Sequence, residues 1–149
     1  MQAATTAPQM MKDSKYGTAE EIMSLPPARL VAILKDPGAS VYARAKACQQ
    51  LAVNGGKDAV PALAALLSDA RLSHYARFGL EPNPDVSASE ALRKALGEVK
   101  GPLLVGVINS IGVRRDAGAM EALGRLVREG DATVSRAANA ALARIRPRG

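Results

Sequence analysis

The side chains with the most chemical potential stand together in one segment, His74-Tyr75-Ala76-Arg77-Phe78, which holds the chain's one histidine and its one phenylalanine. On a helix, residues three and four positions apart share a face, so His74 and Arg77 are expected beside Phe78. An aromatic platform next to a guanidinium and a titratable imidazole indicates a binding spot. In the alternative interpretation, Tyr75 and Phe78 fill a gap in the core, with His74 at its rim.

A second group of polar residues begins at Asn109 and includes the adjacent arginines Arg114 and Arg115. A guanidinium directed into a groove would bind a carboxylate or a phosphate. Alternatively, both arginines suit the negative end of a helix dipole, and Asp116 caps the next helix. The predicted partner-binding residues are His74, Tyr75, Arg77, Asn109, Arg114 and Arg115.

Catalytic and metal-binding patterns are sparse. The single cysteine and single histidine exclude an internal disulfide, a zinc site with several cysteines and a metal site with two histidines. A cysteine–histidine pair would need Cys48 near His74, but Cys48 shares a helical face with Val41 and Ala45, which favours burial. Residues 55–57 (Gly-Gly-Lys) lack the spacing of a phosphate-binding loop. We therefore predict no enzymatic activity and no cofactor.

The composition favours a helical globule with a basic surface. Of 149 residues, 48% are hydrophobic but only 3% are aromatic, and Ala, Leu and Val supply the apolar content. The net charge is +6, and residues 101–149 carry eight arginines against four acidic residues. This basic end would attract an acidic partner or a nucleic acid. No apolar run is long enough to predict a membrane span.

Internal repetition divides the chain. Residues 46–67 align with residues 106–127 at an offset of 60, and the small and aliphatic residues of one block recur in the other. Apolar positions follow a helical period throughout, with no strict alternation of the kind that strands show. The predicted helix pairs are 27–35 with 40–54, 58–68 with 71–79, 88–97 with 102–113, and 117–128 with 133–145. Short loops between them favour antiparallel packing.

Capping residues mark the helix ends. Predicted capping boxes are Thr18 with Glu21 and Ser87 with Glu90, and predicted single caps are Ser40, Asp58, Asp116 and Thr133. Stops are predicted at residues 54–56, at Glu129-Gly130 and at Pro147, and Pro26-Pro27 opens the helix 27–35.

We predict a flexible leader over residues 1–17, a repeat domain over 18–146 and a tail over 147–149. The leader lacks the basic start and apolar core of a signal peptide. Both a cytoplasmic chain and an exported (periplasmic) one whose signal is absent from this sequence remain open. The last helix has little after it to cover its outer side, so we expect a fragment or module of a larger protein.

Three segments resemble the HEAT-repeat family, in particular its bacterial branch of lyase-type short repeats. They are DAVPALAALL (58–67), AMEALGRLV (119–127) and VSRAANAALARI (134–145), within a resemblance that covers roughly 27–146. The resemblance implies an all-α solenoid of about four antiparallel helix pairs in a right-handed superhelix. It also implies a curved surface for protein–protein contact, formed by inner helices at 40–54, 71–79, 102–113 and 133–145.

The expected function is therefore that of a non-enzymatic scaffold that binds a protein partner on this inner-helix face. Two alternatives stay open. One is nucleic-acid binding through the arginine-rich C-terminal repeats. The other, implied by the resemblance, is a bilin-lyase-like enzyme with a tetrapyrrole pocket around His74 and Tyr75.

Overall fold

Helices make up most of the described chain. The computed structural model describes residues 11–146, so part of the expected leader and the predicted stop at Pro147 lie outside the described residues. Strands β1 (Lys12–Asp13) and β2 (Gly17–Thr18) precede α1 (Ala19–Met23), α2 (Pro27–Lys35), α3 (Val41–Asn54), α4 (Gly56–Ala64), α5 (Ser73–Leu80), α6 (Val86–Ala95), α7 (Gly101–Arg114), α8 (Met120–Glu129) and α9 (Ala132–Ile145). The all-α prediction is confirmed for residues 11–146.

Several helices begin where the sequence predicts. Thr18 and Glu21 form the expected capping box, in which the Thr18 hydroxyl accepts from the Glu21 amide at 3.2 Å and the Glu21 carboxylate accepts from the Thr18 amide at 3.0 Å. Ser40 caps α3, and Asp116 caps a 3-10 turn (Ala117–Ala119) that leads into α8. In each case a side-chain oxygen satisfies a backbone N–H that the first turn leaves unpaired.

Three predicted starts are wrong, and each helix begins earlier. Asp85 caps α6 by accepting from the Ser87 amide at 3.0 Å, and Asp131 caps α9 by accepting from the Val134 amide at 2.9 Å. Helix α4 begins at Gly56, which adopts φ +58°, a left-handed conformation that glycine takes without steric cost. The predicted caps that the structure contradicts are Ser87 with Glu90, Asp58 and Thr133.

Helices that alternate along the sequence pack against one another, so the domain has two layers of helices. Helix α3 contacts α5, α5 contacts α7, and α7 contacts α9; these four helices are called the odd layer below. Helices α2, α4 and α6 contact one another in the same way, and α2, α4, α6 and α8 each also pack against the odd-layer helix that follows them in sequence. In the described part of the chain, no helix combines the length and the apolar character needed to cross a membrane.

Small residues let the helices of the odd layer approach closely. A Cβ on Gly79 of α5 would lie 3.3 Å from the Cys48 carbonyl oxygen of α3, and one on Gly112 of α7 would lie 3.0 Å from the Cα of Ala141 of α9. Cys48 on α3 is fully buried, as its helical spacing predicts, and burial raises the pKa of its thiol to about 12. Each buried leucine in this core contributes about 1.5–3 kcal/mol.

The residues that precede α1 form a small hairpin against α3. β1 and β2 pair antiparallel, with Lys12 opposite Thr18. The Asp13 carboxylate, 4% exposed, accepts from the backbone amides of Lys15, Tyr16 and Ser40 at 2.7–2.9 Å. Burial alone would raise the pKa of Asp13, but the hydrogen bonds from Ser40, Tyr16 and Lys15 outweigh it and hold that pKa well below its usual value. Residues 12–17 of the expected leader are thus fastened to the helical domain.

Candidate partner-binding surface

The aromatic segment lies on α5, in the middle of the odd layer. Ala76, Gly79 and Leu80 face the core, because burial recurs at helical spacing along α5. His74 is exposed and Phe78 is 52% exposed, so both lie on the open side of the helix.

Tyr75 is half-buried and packs against the core. Its ring meets the His74 imidazole edge-on, with 5.5 Å between ring centroids and 76° between the ring planes. Tyr75 thus packs inward, as expected if it fills a gap in the core. Phe78, for which the same was expected, is half exposed.

Arg77 crosses from α5 to α7. Its Nη1 donates to the Gly106 carbonyl at 3.2 Å and to the Ser110 hydroxyl at 3.4 Å. The fully buried Ser110 donates in turn to the Glu81 carboxylate at 2.6 Å. Because these bonds satisfy polar groups between two packed helices, Arg77 joins α5 to α7 and presents only part of its guanidinium to a partner.

Arg114, at the C-terminal end of α7, is directed into the loop between α5 and α6. Its Nη1 donates to the carbonyl oxygens of Leu80 and Glu81 at 2.9 and 3.1 Å, and also to that of Asn83. Its Nε donates to the Ser89 hydroxyl at 2.8 Å, and its Nη2 to the Asp85 carbonyl at 3.2 Å.

This position changes the interpretation of Arg114. Burial lowers the pKa of Arg114, against the opposing charges of Asp116 and Asp85, and the guanidinium stays protonated. All three of its nitrogen atoms donate to the α5–α6 loop or to α6. Arg114 therefore holds the loop, and its contact with a partner stays a prediction.

Arg115 ends α7 in a left-handed conformation, with φ 53° and ψ 44°. The amide of Asp116 donates to the Ile111 carbonyl at 3.3 Å and the amide of Arg115 to the Gly112 carbonyl at 3.0 Å, a Schellman motif. The side chain of Arg115 is exposed.

Asp116, the next residue, forms an ion pair with Arg93. Its carboxylate lies 2.8 Å from the Nε of Arg93, but the two groups are not aligned as a hydrogen bond requires.

Asn109 is exposed on α7 and lines a groove of about 330 Å³ between α7 and α9. The other lining residues are Val113, Ala140, Ala141 and Arg144.

Arg144 is a groove residue that the sequence did not single out, because the sequence shows it only as one of the C-terminal arginines. Its neighbour Asn109 is far from it in sequence, and only the packing of α7 against α9 brings the two together. One local signal was present: Arg136, Ala140 and Arg144 recur every fourth residue on one side of a helix.

The six predicted site residues thus separate into two groups. Arg77 and Arg114 bind within the fold, at the α5–α7 contact and the α5–α6 loop. His74, Asn109 and Arg115 are exposed, and Tyr75 is half-buried. Within residues 11–146, no group of three or more His, Cys, Asp or Glu side chains is arranged to hold a metal ion.

No family model matches this chain, and no curated protein matches it either.

Proposed function

We propose that the chain is a non-enzymatic scaffold, an α-solenoid of about four HEAT-like antiparallel helix pairs in a right-handed superhelix. A protein partner would bind on the open side of the odd layer. The succession of contacts from α3 through α5 and α7 to α9 supports this arrangement, because stacked helix pairs bury their apolar faces against their neighbours. The segments that resemble HEAT repeats lie mostly within α4, α8 and α9: residues 58–67 extend past the end of α4, and residues 119–127 begin one residue before α8.

The observation that carries the proposal is the exposure of large apolar side chains on the two middle helices of the odd layer. Phe78 on α5 is 52% exposed and Val113 on α7 is 47% exposed, each one turn from an exposed polar residue, His74 or Asn109. Apolar side chains among polar neighbours are the usual composition of a protein–protein interface. Four adjacent helices with one open side also give a partner an extended surface to contact.

Site-specific photocrosslinking tests this proposal. Benzoylphenylalanine is placed at Phe78, on the odd layer, or at Val86 on α6, which is 63% exposed and serves as the matched control. Each variant is irradiated in extract from cells that make the protein, and adducts are identified by mass spectrometry. We expect a discrete adduct from position 78 that excess unlabelled wild-type protein suppresses, and none of that mass from position 86. The same adducts at both positions, or no adduct at 78, would refute the assignment of the odd layer as the binding surface.

A further inference from the structure

The odd layer contains no acidic residue. All 14 Asp and Glu residues of the chain lie outside α3, α5, α7 and α9. The same four helices carry six cationic residues, Arg44, Lys46, Arg77, Arg114, Arg136 and Arg144. Acidic residues are instead found on α1, α4, α6 and α8 and in the loops, so charge is segregated by layer.

Three of these cations are engaged inside the fold. Arg44 donates to the Ala39 carbonyl at 3.2 Å, and Arg77 and Arg114 bind the groups described above. The Lys46 ammonium lies 5.6 Å from the centroid of the Tyr42 ring. Arg136 and Arg144, both exposed on α9, form no ion pair with any residue from 11 to 146. They stand eight residues apart, about 12 Å along the helix.

The groove between α7 and α9 places one of these free guanidinium groups beside apolar surface. Arg144 and the amide of Asn109 supply hydrogen-bond donors, and Val113, Ala140 and Ala141 supply the apolar lining. Arginine recognises carboxylates with two parallel hydrogen bonds.

A second groove of about 390 Å³ lies at the other end of the same two helices. Its lining includes Pro102, Val105 and Val134. Asp131 also lines it, but this carboxylate accepts from the Val134 amide as the cap of α9. The α7–α9 face therefore offers apolar surface at both ends and a free cation at one.

We propose that the α7–α9 groove binds a short acidic segment of a partner protein, with a carboxylate of that segment on Arg144 and an aliphatic side chain against Val113 and Ala140. This inference rests on the proposed function and specifies the chemistry of the partner. The absence of acidic residues from the odd layer supports it, because no like charge on these helices repels an incoming carboxylate.

The groove suits a peptide better than a nucleic acid. A nucleic-acid interface commonly neutralises about 6–10 phosphates with Lys and Arg, whereas the odd layer leaves only Lys46, Arg136 and Arg144 available. Nonspecific single-strand binding also uses aromatic side chains on which bases stack, and the groove is lined by Val and Ala instead.

Selection from a library of random peptides displayed on phage tests the inference. The full chain is immobilised as wild type, as Arg144→Glu, and as Arg125→Glu, the matched control with the same charge change at an exposed position of α8. We expect peptides selected by the wild type to be enriched in Asp and Glu next to aliphatic residues. The best synthetic peptide should bind Arg144→Glu at least about tenfold more weakly and Arg125→Glu less than about twofold more weakly.

A charge exchange makes the result specific to position 144. Replacing the key acidic residue of the peptide with Lys should abolish binding to the wild type and restore part of it with Arg144→Glu. If Arg144→Glu fails to fold, Arg144→Gln removes the charge and leaves a shorter polar side chain, which should weaken binding of the acidic peptide without restoring that of the Lys peptide.

The remaining outcomes separate this inference from the proposed function. Selected peptides without acidic enrichment, whose binding is lost in Phe78→Ala, would keep the scaffold and overturn the acidic-segment inference. A library that yields no binder would overturn the acidic-segment inference, while the photocrosslink from position 78 decides the proposed function independently. An oligonucleotide that binds the wild type more tightly than any selected peptide, and loses affinity in Arg144→Glu, would replace the peptide with a nucleic acid.

Discussion

The guanidinium of Arg77 lies against Gly106, whose carbonyl accepts a hydrogen bond from Arg77 Nη1 at 3.2 Å. A Cβ at position 106 would come within 2.7 Å of both Cζ and Nε of Arg77. Gly106→Ala must therefore displace the guanidinium, the far end of a flexible side chain, and break its bonds to Gly106 and Ser110. The helix propensity of alanine offsets part of that loss, so we expect a net loss of at most about 1 kcal/mol in the free energy of unfolding, measured by urea denaturation.

Gly124→Ala is the matched control for that substitution. Gly124 lies inside α8, and the nearest atom to an added Cβ is the Nη1 of Arg128 at 3.6 Å. Without a clash, alanine should stabilise this helix by up to about 1 kcal/mol. If both substitutions changed the free energy of unfolding by the same amount, the close contact between Gly106 and Arg77 would not be what makes position 106 sensitive.

Arg114 fastens the α5–α6 loop, so its substitution should destabilise the whole domain. Arg114→Ala removes the donor to the carbonyl oxygens of Glu81 and Asn83. It also removes one of the two donors to the carbonyl oxygens of Leu80 and Asp85, which still accept from the amides of Asn83 and Ala88. We expect a loss of about 2–4 kcal/mol in the free energy of unfolding. Arg114→Lys keeps the positive charge but lacks the planar guanidinium, so it should retain only part of this stabilising free energy. Arg115→Ala, at an exposed position, should change stability much less, and a comparable loss there would argue against this account.

Local sequence signals located the helices but not the contacts between distant residues. The helix predicted over 27–35, opened by the Pro26-Pro27 pair, has the bounds of α2. Cap assignment failed at α9 because Asp131 and Thr133 both carry suitable oxygens, and the choice depends on how the chain enters the helix.

The candidate site was harder to predict for the same physical reason. Arg114 lies next to Arg115 in sequence and has the same chemistry, yet only Arg114 reaches the α5–α6 loop. Likewise, Asn109 and Arg144 share a groove because α7 packs on α9. Segregation of acidic residues by layer was already present in the sequence, but it becomes visible only when alternate helices are assigned to one layer.

Arg115 pays a conformational cost that glycine avoids. A non-glycine residue in the left-handed region costs about 1–2 kcal/mol, and this position at a helix end usually holds glycine. Arg115→Gly should therefore raise the free energy of unfolding by about 0.5–1 kcal/mol, since the greater freedom of glycine in the unfolded chain offsets part of the gain. Arg125→Gly, in the interior of α8, should instead destabilise by about 1 kcal/mol. Destabilisation by both would show that the Arg115 side chain contributes more than its backbone strain costs.

Acid should weaken the attachment of the N-terminal hairpin. Hydrogen bonds from Tyr16, Lys15 and Gly38 lower the pKa of Asp36 to about 2, and the pKa of Asp13 is also held below its usual value. Because both folded-state values lie below the unfolded value of about 3.9, their contribution is complete above that pH. It is lost progressively as the pH falls from about 4 through the folded-state pKa of Asp36.

Urea denaturation of the wild type and of Asp36→Asn across this range tests the linkage. The variant should be less stable at pH 7, because the ion pair with Lys15 and the charge-assisted hydrogen bond from Tyr16 are lost. The difference should narrow on acidification, since protonation removes the same interactions from the wild type. Asp36 then accounts for part of the acid sensitivity. Asp13, Glu21 and Asp85, whose pKa values are also lowered, contribute to the slope that remains in the variant. If the free energies of unfolding of the two proteins instead changed in parallel with pH, the charge of Asp36 would not contribute to the stability of the folded state.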